Sequence, residues 1–244
     1  MQNSLAASEP AQLSPLQRDS LQQQIYDRLH AGLIAGAFRP GEVISSRGLA
    51  GQLGVSAMPV REALTRLTAE GALELTPSRT LRVPVLSPDD FDEVTAIRTE
   101  LEGMAASRAG GQLSDDDVAR ICALHGTLAQ AADSGDVDRY LAANADFHSG
   151  IYAAARWPVL LGMIQRLWLI VGPSIRASLP DQGHISRSMG FHDAIRDAVV
   201  AGDAAALSAA IIADIANAAP EIRTALIAQA ATPASAHPQG AAAS

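Results

Sequence analysis

Residues 45–83, SSRGLAGQLGVSAMPVREALTRLTAEGALELTPSRTLRV, read as two short helices, a tight turn and a β-hairpin with an arginine at its tip. Ser46 is placed to cap a helix from Arg47 to about Leu53, whose Leu49, Ala50 and Leu53 fall at helical spacing. Gly54 supplies the left-handed residue that ends it. Ser56 then caps a second helix that runs to about Glu70 and stops at Gly71, and Pro59 sits in its first turn, where a missing backbone N–H costs little. The buried face of that helix is expected to be Val60, Ala63, Leu64 and Leu67. Leu73, Leu75, Leu81, Val83 and Val85 alternate around Pro77-Ser78, the period-2 signal of a hairpin. Upstream, Leu21, Ile25, Leu29, Leu33 and Ile34 form an amphipathic helix that closes a three-helix core, ended by the turn Arg39-Pro40-Gly41.

Helix, turn, helix and hairpin in this register make a winged helix-turn-helix, whose second helix docks in the major groove of duplex DNA with its N-terminal residues toward the bases. Ser56, Ala57, Met58, Pro59 and Arg61 are therefore the expected readers, with Arg61 placed for a bidentate contact to a guanine. Arg47, Arg66 and Arg79 suit phosphates or the minor groove. The alternative for each arginine is solvated surface.

Charge separates the chain into two parts. Residues 1–86 hold eight arginines against seven acids, a balance of +1, and residues 87–244 hold ten against nineteen, a balance of −9, which together give the net charge of −8. The acidic part repels DNA, so binding must be confined to the first part, and its small excess of positive charge argues for two copies on one duplex. Aromatic residues make up only 4% of the chain against 48% hydrophobic, as expected of an aliphatic, alanine-rich helical core. By reading alone, no apolar run approaches a membrane span and no secretory signal is seen, so the cytoplasm is the expected location. The single cysteine, Cys122, excludes an internal disulfide and a cysteine-built zinc cluster, and its apolar neighbours Ile121 and Ala123 suggest a buried side chain.

The predicted organisation is a tail over 1–14, the winged domain over 15–86, a helical domain over 87–228 and a second tail over 229–244, both tails being rich in Ala, Ser, Gln and Pro. The boundary is the short segment PVLSP, residues 84–88. Beyond it the pattern is helical throughout, with about six helices in an antiparallel bundle. Ser87 caps the first, with an expected core stripe of Phe91, Val94, Ile97, Leu101 and Met104. Ser114 with Asp117 forms a capping box for the second, Asp136 caps a third, Pro158 opens a fourth, and Gly202-Asp203 joins the fifth to the sixth.

Asn144 and His148 stand one turn apart on the third of these helices. His192 lies ten residues before Gly202 and Asp214 eleven after Asp203, so antiparallel packing brings them to the same height. Two imidazoles, a carboxylate and an amide oxygen then have the means to converge on one divalent cation. Hydrogen-bonded core histidines are the plain alternative.

Residues 21–86 resemble the N-terminal domain of the GntR family of transcription regulators, and residues from Pro88 to about Ala219 resemble the all-helical FCD domain of its FadR-type branch. The second resemblance rests on Arg98 with Glu102, on Asn144-Ala145-Asp146-Phe147-His148, on Phe191-His192-Asp193-Ala194-Ile195 and on Ala201-Gly202-Asp203-Ala204. It implies a homodimeric regulator, a repressor by expectation, on a pseudo-palindromic operator, with a small carboxylic acid as effector in the helical domain. It also implies a metal held at Asn144, His148, His192 and Asp214, where family members often carry an aspartate or asparagine and three histidines. Asp214 in place of histidine makes the set richer in oxygen, which widens the candidates from zinc and nickel toward manganese and magnesium. Arg98 matches a position that points into the effector pocket, its rival role being an ion pair with Glu102. In the wing the family usually carries glycine about where Thr80 stands. Two other functions share the same residues: a sensor of the cation itself, and a two-histidine, one-carboxylate metalloenzyme, which the lack of a β-barrel and of a placed general base disfavours.

Overall fold

The computed structural model describes residues 21–178 and 182–231. The expected tail over 1–14 and residues 232–244 of the second tail lie outside these. The winged domain consists of α1 (Leu21–Ile34), β1 (Val43–Ile44), α2 (Ser46–Leu53), α3 (Ala57–Ala69), β2 (Glu74–Leu75) and β3 (Leu81–Arg82). Ile25, Leu29 and Leu33 of α1 pack on Val60, Leu64 and Leu67 of α3, and Val83 closes the core from below.

Two local expectations change. The cap of α2 is Ser45, whose hydroxyl accepts from the Gly48 backbone N–H, so Ser46 is already helical. A third strand, β1, pairs antiparallel with β3, which becomes the centre of a sheet ordered β1-β3-β2. Two residues are too few to show a period, which is why Val43-Ile44 gave no strand signal. Leu75 and Val85 are 60% and 42% exposed. β2 begins only at Glu74, so Leu73 is buried by the turn leading into the strand and its burial says nothing about Leu75.

The second domain has six helices: α4 (Pro88–Gly110), α5 (Asp115–Ser134), α6 (Val137–Ala154), α7 (Pro158–Ala177), α8 (Gln182–Ala201) and α9 (Ala204–Ala231). Ser87 accepts from the Asp90 N–H, Ser114 and Asp117 make the reciprocal capping box, and Asp136 accepts from the Arg139 N–H. Asp203 accepts from the N–H groups of Ala205 and Ala206 at 3.0 and 2.9 Å, after Gly202 has turned the chain with φ of 65°. α9 continues beyond Pro220 to Ala231, so residues 229–231, expected in the tail, are helical.

The stripe expected on α4 is only partly the buried one. Phe91 is buried, whereas Ile97 and Met104 are 40% and 49% exposed. The inward face instead carries Arg98, Glu102, Ala105, Ala106 and Ala109. Two opposite charges that neutralise each other take the place that an apolar pattern assigns to isoleucine and methionine. Cys122 is half-buried rather than sealed in the core, and Trp157 is 42% exposed.

Contrary to the reading of apolar runs, α7 and α9 are each long and apolar enough to cross a membrane by length and composition. Here α7 is a packing helix that serves both domains. Its Leu169 joins the core of the winged domain, and its Gly172 lies so close to the end of α1 that an added Cβ would stand 2.5 Å from the Leu33 carbonyl oxygen. No larger residue fits there without moving one helix from the other.

Candidate functional site

The N-terminus of α3 is open. Contrary to the expectation that its hydroxyl caps α3, Ser56 occupies the cap position without making a side-chain cap bond, which leaves the hydroxyl without a role inside the helix. Met58 is 71% exposed, Ser56 and Arg61 are exposed, and Ala57 and Pro59 are half-buried beside them. Arg47, in the first turn of α2, is exposed as well. Free backbone N–H groups and the helix dipole add positive potential at this end, suited to phosphate. The guanidinium of Arg61 has no ion-pair partner among the described residues.

Arg66 is placed differently. Its guanidinium carbon stacks 3.6 Å from the Tyr26 ring centroid, while Nε donates to Glu70 at 3.1 Å and Nη1 to Gln23 at 3.1 Å. Tyr26 also donates to Glu70 at 2.7 Å. This cluster ties α1 to α3, with the Arg66 side chain still 50% exposed. At the wing tip it is Arg79, one residue before Thr80, that takes the left-handed conformation, with φ of 61°. The tip is closed by the Thr76 N–H on the Thr80 carbonyl at 2.9 Å, by the Arg79 N–H on the Thr76 carbonyl at 2.8 Å, and by hydroxyl contacts of Thr76 with Ser78 and Thr80. The side chain of Arg79 is thereby presented outward.

Inside the bundle α6, α8 and α9 bring His148, His192 and Asp214 together. His148 Nε2 is 3.5 Å from one carboxylate oxygen of Asp214 and His192 Nε2 is 3.6 Å from the other. The three ligand atoms all lie within 4.8 Å of one another. Asn144 and Arg98 line the same cavity, a space of about 50 Å³. Behind it runs a chain of polar contacts. Arg98 Nε donates to Glu102 at 2.6 Å, and the Tyr152 hydroxyl donates to the other Glu102 oxygen at 2.5 Å while lying 3.2 Å from His148 Nδ1.

This chain fixes a tautomer. Tyr152 has one hydrogen, which it gives to Glu102, so its oxygen accepts from His148 Nδ1–H and the lone pair of His148 is left on Nε2, facing Asp214. Burial, aided by His192 and Arg98, holds the His148 pKa well below its usual value, and burial with a contribution from His125 takes His192 down to about 3. Burial also raises Asp214 to about 7, against the pull of Arg98 and with the push of Glu102. A neutral imidazole lone pair and a carboxylate oxygen at 3.5 Å are two acceptors in contact. Only a proton on Asp214 or a cation between them relieves that arrangement. His192 Nδ1 is buried with no hydrogen-bond partner.

The spacing of Asn144, His148, His192 and Asp214 marks them in the sequence, and the structure places all four around one cavity. Tyr152 joins them in the structure. Its signal was the spacing of four after His148, itself four after Asn144, which puts all three on one face of α6. Arg98 pairs with Glu102 and also lines the cavity. Of the further arginines beside the pocket, Arg176 pairs with Asp138 at the domain junction and Arg166 is exposed.

Two family models match. Residues 21–83 match the bacterial regulatory proteins of the gntR family, and residues 93–217, half of the chain, match the FCD domain. The chain is also 38% identical over 156 residues to the HTH-type transcriptional regulator McbR of Escherichia coli, covering 64% of this chain and 71% of that protein. It belongs to the GntR family. This GntR protein, of the FCD-bearing branch, has the fold of E. coli McbR/YncC at a TM-score of 0.77 and 30% identity, covering 87% of this chain and all of that one. A GntR regulator from Rhodococcus sp. RHA1 shares the fold at a TM-score of 0.70 and 20% identity, over 84% and 98% of the two chains. A relative from Paenarthrobacter nicotinovorans named "Probable D-xylose utilization operon transcriptional repressor" is 29% identical over 191 residues, 77% of this chain and 82% of that protein. GntR proteins are DNA-binding transcription regulators, and the metalloenzyme reading of the histidine cluster is set aside on that ground.

Proposed function

We propose that this GntR regulator acts as a homodimeric repressor on a pseudo-palindromic operator, and that a divalent cation and a small carboxylate in the FCD domain set its affinity for DNA. The observation that carries the second half is the convergence of His148, His192 and Asp214 beside Arg98. Repression is supported by the repressor role named for the Paenarthrobacter relative.

The donor set fits a cation. His148 Nε2, His192 Nε2 and Asp214 supply two neutral nitrogens and one anionic oxygen, with Asn144 adding an amide oxygen, a mixture open to zinc, nickel, manganese or magnesium. Tyr152 and Glu102 orient His148 from behind, the kind of support that fixes a ligating imidazole. A cavity of about 50 Å³ holds an ion with its water but not an organic acid. A carboxylate effector therefore reaches Arg98 by exchange: Glu102 gives up its two contacts with the guanidinium and the incoming carboxylate replaces them. The exchange changes DNA affinity only to the extent that the effector binds the two arrangements of the heads differently.

The test is an operator titration. Duplexes selected from a randomised pool by the purified protein are labelled, and their affinity is followed by fluorescence anisotropy with chelator, with each of the four metals, and with metal plus mono- and dicarboxylates. The expected result is selection of a two-fold symmetric sequence and an affinity that moves with metal and carboxylate together. A response to metal alone, unchanged by every acid, replaces the carboxylate reading with that of a metal sensor. Indifference to both removes the cluster from regulation.

A further inference from the structure

A second and larger space lies between the two domains. α1 of the winged head faces α6 and α7 of the bundle across a cleft of about 330 Å³, at the lower end of the range of small-molecule sites. Its walls are mainly apolar, from Ile34, Leu161, Ile164 and the ring of Trp168. Polar groups enter from both domains: His30 from the head, and Asp146, Ser149 and Gln165 from the bundle.

The cleft differs in charge from the buried cavity, whose wall carries Arg98 and Asp214 together. Asp146 is the one acidic residue lining the cleft, and no arginine lines it. Asp146 has no cationic partner among the described residues, and partial burial is what pushes its carboxyl pKa upward. His30 is pushed downward, chiefly by burial, so at neutral pH it is an uncharged imidazole. The cleft thus combines one uncompensated carboxylate at its edge with an apolar interior. Trp168 leaves its buried indole N–H without an acceptor, and its ring lines the inner cavity as well as the cleft.

We propose that the cleft between α1 and the α6–α7 pair is a ligand site distinct from the histidine cluster, and that it takes a compact apolar molecule bearing a protonated amine. The ammonium group pairs with Asp146 and is within the reach of Ser149 and Gln165, and the apolar body covers Ile34, Leu161 and Ile164. Such a ligand touches head and bundle at once and holds α1 on α7 in the arrangement seen here. An effect on operator affinity follows from this holding and rests on the regulator reading above; occupancy of the cleft does not.

The experiment measures binding to the full chain, with chelator and without DNA, by calorimetry and ligand-observed NMR. Phenethylamine is the probe, with 3-phenylpropionate and 2-phenylethanol as the anionic and neutral molecules of similar shape. Saturable binding of phenethylamine, at least about tenfold tighter than the anion, is expected. Asp146→Asn should bring the amine to the level of the alcohol while leaving the alcohol unchanged. Ala142→Phe, at an exposed α6 position on the cleft, should block all three. No saturation by phenethylamine, equal affinity for amine and anion, or full amine affinity in Asp146→Asn overturns the proposal. Each of these outcomes in a protein that still selects and binds its operator leaves the regulator reading standing, and loss of operator binding in the wild type leaves the cleft result standing.

Discussion

Arg61 and Arg66 stand five residues apart on α3, and their surroundings assign them different work. Arg66 is held by Tyr26, Glu70 and Gln23, whereas Arg61 is exposed beside the open helix N-terminus. Replacing Arg61 by alanine should cost one bidentate base contact in each half-site, about 1–3 kcal/mol or roughly five- to 150-fold in operator affinity per contact, with helical content by circular dichroism unchanged. Unaltered affinity at fixed salt would remove Arg61 from the reading surface. Asp214 gives a prediction with a sign. Its folded-state pKa of about 7 lies above the ordinary carboxylate value, so the folded form binds the proton more tightly. The stability it contributes is present below the unfolded pKa and is lost as pH rises from about 4 through about 7. In chelator, Asp214→Asn should therefore unfold later than the wild type above pH 7, by about 2–4 kcal/mol, with the gap closing toward pH 4. Saturating metal should reverse the order. Chemical denaturation across pH reads both effects, and a gap that does not vary with pH would show that Asp214 is not a strained buried carboxylate.

At the scale of elements, capping was the most legible feature. Gly54, Ser87, Ser114 with Asp117, Asp136 and Gly202-Asp203 all act as the sequence suggests, because a cap depends on side chains within three residues of the helix end. Where two candidates were adjacent, as at Ser45 and Ser46, the choice was not local, since β1 extends the chain up to Ile44 and leaves Ser45 in the extended conformation a cap requires. The two capping serines of the reading motif then separate stability from binding. Ser45→Ala should cost about 1 kcal/mol in thermal or denaturant unfolding, whereas Ser56→Ala should leave stability nearly unchanged and weaken operator binding. The reverse pattern would mean that the Ser56 hydroxyl serves the helix. On α4 the sequence misled, because hydrophobic spacing cannot see that Arg98 and Glu102 are buried as a pair.

For the whole molecule, the junction of head and bundle is the feature on which regulation turns. Gly172→Ala places a Cβ 2.5 and 2.6 Å from the backbone oxygens of Leu33 and Ile34, atoms that cannot rotate away. About 1–3 kcal/mol of destabilisation is expected, together with a changed operator affinity, since α1 must lift from α7. Thermal unfolding and an anisotropy titration of the same preparation test it, and a variant identical to wild type in both would show that the junction yields freely. Charge makes the other prediction at this scale. A head with a balance of only +1, attached to an acidic bundle, binds through a few well-placed arginines on each of two copies. With about six phosphates neutralised per dimer, the logarithm of the affinity should fall with the logarithm of salt at a slope near −5. A flat salt response would contradict groove binding by Arg47, Arg61 and Arg79.

The sequence by itself determined the winged helix-turn-helix, the six-helix second domain and the four residues around the buried cavity. Each follows from short-range rules: capping, glycine turns, helical spacing, and the equal distance of His192 and Asp214 from one turn. Only the tertiary structure decided that Tyr152 orients His148, that Arg98 is shared between Glu102 and the cavity, and that a cleft opens between α1 and α7. The role of Tyr152 rests on its contact with Glu102, 50 residues away, and the cavity and the cleft on the packing of helices distant in the chain. Neither has a period along the chain, because burial and hydrogen bonding between distant segments are properties of the packed whole.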